Sequence, residues 1–353
     1  MKKVLILGGT GAMGEHLVTM LAQRGDKVVV TTRRECQSSH NIEYVQGNAL
    51  DRNFLDRMLV QEWDAIVDFM VYSTPSFEQR VGALLANTKQ YIYLSSARVY
   101  ADSDAPIKEH FPRLLDSSDD EQFLSTDEYS LAKARQEDIL RKSEFSNWTI
   151  VRPYITYSEQ RLQLGVLEKE AWLYRAMKGR TIVFSEDIAS KLSTLTYGLD
   201  VATGIAALIG EPKALGQAYH ITQLQATSWL NVLDIYLDVL EKFLGKRPKV
   251  LLLGMNDFSR CKRAEFQIRY DRLFDRVFDN SKVSEFVSTE SFLPIEKGLI
   301  LCLERFLQQP SFNNIDWRSE AIKDRYTGER ASFFEPVSWK QRIKYLIYRF
   351  LKI

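Results

Sequence analysis

The feature that most constrains this chain is a run of apolar residues that breaks directly into glycines. Residues 4–14 read Val-Leu-Ile-Leu-Gly-Gly-Thr-Gly-Ala-Met-Gly. Four apolar residues in succession suit a strand covered on both faces, as in a parallel sheet. Helical spacing follows over residues 15–24, with Leu17, Val18 and Leu21 on one face. Alone, such glycines mark only a tight turn. Between a strand and a helix they form the phosphate-binding corner of a dinucleotide fold: the backbone turns sharply and approaches a pyrophosphate, whose charge meets free N–H groups at the helix N-terminus.

With 353 residues the chain can build one large α/β unit or two lobes. A formal net charge of +1 supplies no bulk electrostatic footprint for a nucleic acid, so none is expected as partner. Cys36, Cys261 and Cys302 are too scattered for a disulfide framework, which points to a reducing cytoplasm. His16, His40, His110 and His220 show no clustered spacing, so no metal site is expected. Met1-Lys2-Lys3 leads into the first strand without room for a signal peptide, and no apolar run reaches membrane-spanning length.

The patterning predicts strands at 27–32, 42–45, 64–71, 91–95 and 148–152, and helices at 54–61, 77–87 and 128–142. This alternation predicts an α/β fold with a doubly wound, Rossmann-type parallel sheet. The polar stretch 101–127 is long for a connector and reads as a loop near a functional site. From Pro153 onward strands become scarcer. Helices are expected at 163–177, 201–209, 229–244 and 296–308, with short strands at 181–184, 218–221 and 249–253. The expected division is a dinucleotide-binding domain at 1–152 with parts of 181–222, a substrate lobe at 153–310, and a C-terminal extension at 311–353.

Tyr129 and Lys133 lie four residues apart, on one face of the 128–142 helix. A fixed cation beside a phenol favours the phenolate and turns tyrosine into a usable acid/base near neutral pH. The pair could equally be an incidental feature of a surface helix. Ser95 and Ser96 fall at the carboxyl end of the 91–95 strand, the edge where open α/β sheets bind ligands. A serine there can hydrogen-bond a carbonyl or alkoxide while tyrosine moves the proton; otherwise it caps the next segment.

These motifs resemble the extended and atypical short-chain dehydrogenase/reductases, the family of NAD(P)-dependent nucleotide-sugar epimerases, dehydratases and reductases. The resemblance runs over about residues 1–310. It rests on Gly8-x-x-Gly11-x-x-Gly14, Ser95-Ser96-Ala97-Arg98-Val99-Tyr100, Tyr129-x-x-x-Lys133, Ile150-Val151-Arg152-Pro153-Tyr154 and Asp279-Asn280-Ser281-Lys282. It implies that Tyr129 is the acid/base, that Lys133 lowers its pKa and holds the ribose, and that Ser96, rather than Ser95, orients the sugar hydroxyl. It also implies a homodimer and a nucleotide-diphosphate sugar as substrate. Two departures stand out. Asp68-Phe69-Met70-Val71-Tyr72 replaces the His-x-Ala-Ala found in many members, and Ala97-Arg98 after Ser96 lacks the acidic pair of 4,6-dehydratases. Epimerisation or reduction of a keto-sugar, feeding surface polysaccharide precursors, is the expectation. A non-catalytic NAD(P)-binding sensor, or an RNA-associated atypical member, is the alternative.

The cofactor contacts are expected at Gly8, Thr10, Gly11, Ala12, Met13 and Gly14, at Thr32, Arg33 and Arg34, and, by resemblance, at Asn48, Ala49, Lys133 and Pro153. The second strand ends in Thr32-Arg33-Arg34, without the carboxylate that binds the ribose of NAD. Two arginines there suit a 2′-phosphate. NADP(H) is therefore favoured, with NAD(H) as the alternative. Candidates for holding the substrate are Arg98, Tyr154, Arg161, Lys169, Arg180 and Arg269, with Trp172, Arg175 and Arg260 on the same segments; each could also be an ordinary surface residue.

The segment 338–353 is basic and carries no acid, and Trp339, Ile343, Leu346, Ile347 and Phe350 share one helical face. Such a helix suits peripheral contact with the inner face of a membrane, or docking on its own subunit or a dimer partner.

Overall fold

The computed structural model describes residues 1–351, which divide into two compact units. The first comprises 1–156, 194–225 and 276–295. Its centre is a sheet of seven strands: β1 (Lys3–Leu7), β2 (Lys27–Thr32), β3 (Ile42–Gln46), β4 (Ala65–Asp68), β5 (Tyr91–Leu94), β6 (Trp148–Pro153) and β7 (Gln217–Ile221). All are parallel, in the order β7-β6-β5-β4-β1-β2-β3. Alternate residues of each strand feed opposite faces, and both faces are apolar. Val4, Ile6, Val28, Val30, Val67 and Ile92 pack with Leu17, Leu21, Val201 and Ile205. Leu5, Leu7, Ile66, Tyr91 and Ile150 pack on the other side with Trp63, Phe77 and Leu84. This two-sided burial is why the strands read as unbroken apolar runs. The chain order reverses between β1 and β4, which opens a crevice at the carboxyl ends of those strands.

Local chemistry shifts several boundaries. The second helix spans Arg52–Met58 rather than 54–61, because Asp51 caps it by accepting from Phe54 N at 2.8 Å. The expected strand 64–71 stops at Asp68, whose Oδ1 accepts from Met70 N at 2.9 Å and turns the chain out of the sheet. The stretch 101–127 is ordered by two short helical turns, Leu114–Ser117 and Glu121–Leu124, with Ile107, Leu114 and Phe123 buried beneath it. Near its end Asp127 accepts from the backbone and hydroxyl of Thr74.

The second unit comprises 157–193, 226–275 and 296–353. The expected helix 163–177 starts only at Lys169 and ends at Met177; before it, Gln163–Leu164 and Leu167–Glu168 pair as a hairpin. Gly165 takes a φ of +58° at its tip, a left-handed geometry that a helix excludes. Ile182–Ser185, expected near the dinucleotide-binding sheet, instead pairs in parallel with Val250–Leu253 inside this unit. Residues 276–295 join the first unit, where Val283 and Phe292 enter its core. Nor are residues 311–351 a separate extension. Helices Trp317–Thr327 and Trp339–Phe350 pack together in the second unit around Trp317, Ala321, Ala331 and Tyr345.

Candidate active site

The glycine turn after β1 is built by close approach. Gly8 has a φ of +74°, and its N–H donates to Thr31 Oγ1 at 3.1 Å. A Cβ on Gly14 would lie 2.5 Å from the carbonyl oxygen of Gly9, so only glycine lets the helix Gly14–Gln23 start this near the turn. Gly198, which no sequence signal singled out, serves the same turn. It opens the helix Gly198–Leu208, and a Cβ there would lie 2.1 Å from the carbonyl oxygen of Ala12.

Gly11 behaves differently: a Cβ there would meet nothing within 4 Å. It faces a groove of about 690 Å³ whose lining includes Gly8, Thr10, Gly11, Thr32, Arg33, Arg34, Asn48 and Ala49. No side chain caps the N-terminus of the Gly14–Gln23 helix at Met13, which suits an anion better than a capped end does. A pyrophosphate-bearing dinucleotide therefore fits the residues present. Eight of the expected cofactor residues share this groove. Ala12, Met13 and Gly14 form its turn and helix start, and Pro153 ends β6. Phe69, Met70 and Val71 supply an apolar wall that sequence reasoning noticed only as a departure from the family pattern. Among the described residues, no carboxylate pairs with Arg33 or Arg34, and both side chains are exposed.

The helix Tyr129–Lys142 carries the proposed acid/base at its first position. Lys133 is buried, donates from Nζ to the Leu94 carbonyl at 2.6 Å, and lies 5.9 Å from the Tyr129 ring centre. Burial pushes its pKa down to about 8, although Asp68 and Glu137 pull it upward. The Arg98 guanidinium also lies 5.2 Å from the Tyr129 ring centre and donates to Glu128 Oε1 at 2.7 Å. Two cations thus lie within 6 Å of the Tyr129 ring centre. Arg98, a candidate for the substrate, is here a neighbour of the phenol.

The two serines separate clearly. Ser95 donates to the buried Glu137 carboxylate at 2.6 Å. Burial pushes the pKa of Glu137 up, but Arg152, Arg141 and the Ser95 hydroxyl together bring it below the usual carboxylate value. Arg152 Nε donates to Glu137 at 2.7 Å, and its Nη1 donates to Tyr100 Oη at 2.7 Å and to the Glu109 carbonyl at 2.9 Å. Ser95 is a member of this internal network. Ser96 instead accepts from Arg98 N at 3.2 Å and caps the short turn Ala97–Val99, so it belongs to the edge of β5 that carries Arg98.

Asp68 fills the place of the family's usual His-x-Ala-Ala. It is fully buried and accepts from Tyr72 Oη at 2.9 Å and Tyr91 Oη at 2.8 Å. Burial raises its pKa, and the three donors it accepts from restrain that rise. Tyr93 completes this buried layer: its ring lies 4.6 Å from Lys133 Nζ, and its hydroxyl donates to Gln136.

Several substrate candidates are engaged elsewhere. Arg180 is buried against Glu320, Asp324 and Glu335, and Arg175 against Glu320, Asp324 and Glu329. A guanidinium enclosed by carboxylates offers nothing to a diphosphate, so Arg180 is removed from the substrate set. Lys169 is buried too, with Nζ donating to the Gln160 carbonyl at 2.8 Å and paired with Glu170 at 3.2 Å. Trp172 stacks on Tyr236 at 4.5 Å inside the core. Tyr154 is buried against Phe278. Arg161 and Arg269 are exposed.

The sequence profile of the NAD dependent epimerase/dehydratase family matches residues 4–222, more than half of the chain. The chain belongs to this family. As an NAD dependent epimerase/dehydratase family member it is an enzyme of the NAD-dependent short-chain oxidoreductase/epimerase type. Among its relatives, the chloroplast stem-loop binding protein of 41 kDa b of Arabidopsis thaliana is 25% identical over 78% of this chain and 72% of its own. A UDP-glucose 4-epimerase of Neisseria meningitidis serogroup C is 26% identical over 43% of this chain and 51% of its own. The fold is shared with the Bordetella bronchiseptica enzyme WbmH, solved in complex with NAD⁺: TM-score 0.67, 18% identity, covering 88% of this chain and all of the other.

Proposed function

We propose that this family member is a nucleotide-sugar epimerase or keto-sugar reductase with Tyr129 as its acid/base. The observation that carries the reading is Lys133, an ammonium buried one helical turn beyond Tyr129 and tied to the end of β5. A desolvated cation beside a half-buried phenol is the pairing that acid/base chemistry at a tyrosine requires.

Gly8, Thr10, Gly11, Asn48 and Ala49 would hold the dinucleotide, with the uncapped helix N-terminus toward its pyrophosphate. When bound, its nicotinamide takes up or gives back a hydride at a sugar carbon. Tyr129 Oη removes or returns the proton of the matching sugar hydroxyl. Lys133 and Arg98 favour the phenolate that this requires, by charge alone. Ser96 Oγ orients the hydroxyl. In the epimerase the two half-reactions are separated by rotation of the keto-sugar; in the reductase product leaves after one.

Two further points belong to this proposal. Arg33 and Arg34 favour NADP(H), since two exposed guanidiniums just after β2 suit a 2′-phosphate. A nucleotide-diphosphate sugar is the substrate class. Support comes from the UDP-glucose 4-epimerases among the relatives and from a UDP-glucuronic acid 4-epimerase of Bacillus cereus among proteins of the same fold.

The deciding experiment releases the dinucleotide that copurifies with the protein and identifies it by mass spectrometry, then follows UDP-glucose and UDP-glucuronic acid by NMR. Retained NAD⁺ with sugar epimers appearing supports the epimerase and overturns the NADP preference. Selective NADPH uptake with reduction of a 4-keto-sugar nucleotide supports the reductase. Failure to bind either dinucleotide defeats both.

A further inference from the structure

The helix Trp339–Phe350 packs on the second unit through Tyr345, Leu346 and Tyr348. Tyr345 is buried; its hydroxyl donates to Asp324 Oδ2 at 2.7 Å and accepts from Ala331 N at 2.9 Å. Arg349 donates to the Glu329 carbonyl at 3.2 Å on the same side. Trp339, Ile343 and Phe350 share a stripe of the helix that stays exposed beside Leu346. These are 63%, 44% and 60% exposed. The loop leading into the helix adds Phe334 at 80% and Val337 at 89% exposed. The Arg342 guanidinium spans this group, 4.9 Å from the Phe333 ring centre and 5.8 Å from that of Trp339.

Charge says what such a stripe meets. After Glu335 the sequence contains no acidic residue, while Lys340, Arg342, Lys344, Arg349 and Lys352 are all basic. Lys340 and Lys344 border the stripe on one side and Arg342 on the other; among the described residues Lys344 alone of the three pairs with a carboxylate, Asp316 at 3.6 Å. A second copy of the same face would set these cations against each other. An anionic surface neutralises them and lets the aromatic rings enter the boundary between headgroups and acyl chains.

We propose that residues 333–350 are a docking surface for an anionic phospholipid bilayer. The helix lies in the membrane plane, with Phe334, Trp339 and Phe350 inserted and Lys340 and Arg342 at the headgroups. A helix of 12 residues is too short to span a bilayer, and no helix among the described residues is long and apolar enough to do so. The surface is independent of the proposed chemistry, so either can fail alone.

The test is flotation of the full-length protein with phosphatidylcholine vesicles that do or do not contain about 30% phosphatidylglycerol. Flotation is expected with the anionic vesicles only, and to fall as salt rises. Phe334→Ser with Trp339→Ser should lower the bound fraction at least about tenfold, and the surface variant Lys340→Gln alone roughly fivefold, with circular dichroism melting unchanged. Absence of flotation from full-length protein overturns the proposal. So does unchanged flotation of either variant. A dimer that Trp339→Ser converts to monomer, without flotation of the parent, overturns it in favour of self-association.

Discussion

Lys133 Nζ sits 5.9 Å from the centre of the Tyr129 ring while donating a hydrogen bond, at 2.6 Å, to the Leu94 carbonyl. One contact anchors the ammonium to the carboxyl end of β5; the other places its charge under the phenol. The four-residue spacing makes the pair neighbours on a helix, but the carbonyl of a separate strand fixes which way the lysine points.

Tyr129→Phe keeps the ring and deletes only the acid/base. Turnover of the sugar nucleotide found to be the substrate should fall by about 10²–10⁴-fold, with dinucleotide affinity changed by less than about twofold. Full activity in this variant, measured beside a fluorescence titration of NADPH, ends the proposed role of the tyrosine.

Lys133 also predicts a pH dependence of stability. Burial holds its pKa at about 8 in the folded chain, against an ordinary 10.5. Below the folded value both states carry the proton, and the buried charge weakens the fold. As pH climbs toward the ordinary value, the folded chain releases the proton while the unfolded chain keeps it, so stability rises. Relative to Lys133→Met, the wild type should gain up to roughly 3 kcal/mol across that window in urea titrations. Parallel curves for the two proteins would show that Lys133 is not desolvated.

Two glycines of the first turn should respond oppositely to alanine. Gly14→Ala sets a methyl 2.5 Å from the Gly9 carbonyl oxygen and should cost about 1–3 kcal/mol of stability. Gly11→Ala meets open groove. Its melting temperature should be nearly unchanged, while dinucleotide affinity falls at least about tenfold because the methyl takes the space of a phosphate. Equal affinity in Gly11→Ala and wild type would place the pyrophosphate elsewhere.

Glu137 is the centre of the buried network, bonded to Ser95 and Arg152 and close to Arg113 and Arg141. Glu137→Gln leaves Arg152 buried without its countercharge and should destabilise the protein by about 3–5 kcal/mol. Ser95→Ala removes one neutral donor from the same carboxylate and should cost about 1 kcal/mol, with turnover unaffected. A turnover loss in Ser95→Ala comparable to that of Ser96→Ala, measured on folded protein, would contradict the separation of the two serines.

Residues near one another in sequence were read well. The turn at 8–14, the pair Tyr129 and Lys133, and the helix start at Trp229 depend on contacts within one or two turns of chain, where spacing is geometry. Arg180 is a substrate candidate in the sequence, and Arg175 lies on the same stretch, because lone arginines on an amphipathic segment look alike whatever faces them. Their carboxylate partners, Glu320 and Asp324, arrive about 145 residues later. Gly165 delays the start of the expected helix 163–177 for a local reason, a left-handed φ that periodicity does not report.

The sequence by itself determined the strand–glycine–helix corner, the alternation that makes a doubly wound sheet, and the placing of Tyr129 and Lys133 one turn apart on a helix. Each of these follows from side-chain period and short-range sterics. Only the tertiary structure decided that Ser95 belongs to Glu137, that Gly198 must be bare to pass Ala12, that Arg180 is an internal ion-pair partner, and that the last helix keeps its Trp339 face uncovered. Those outcomes depend on desolvation and close approach between segments far apart in the chain, and burial is a property of the packed molecule that no stretch of sequence carries alone.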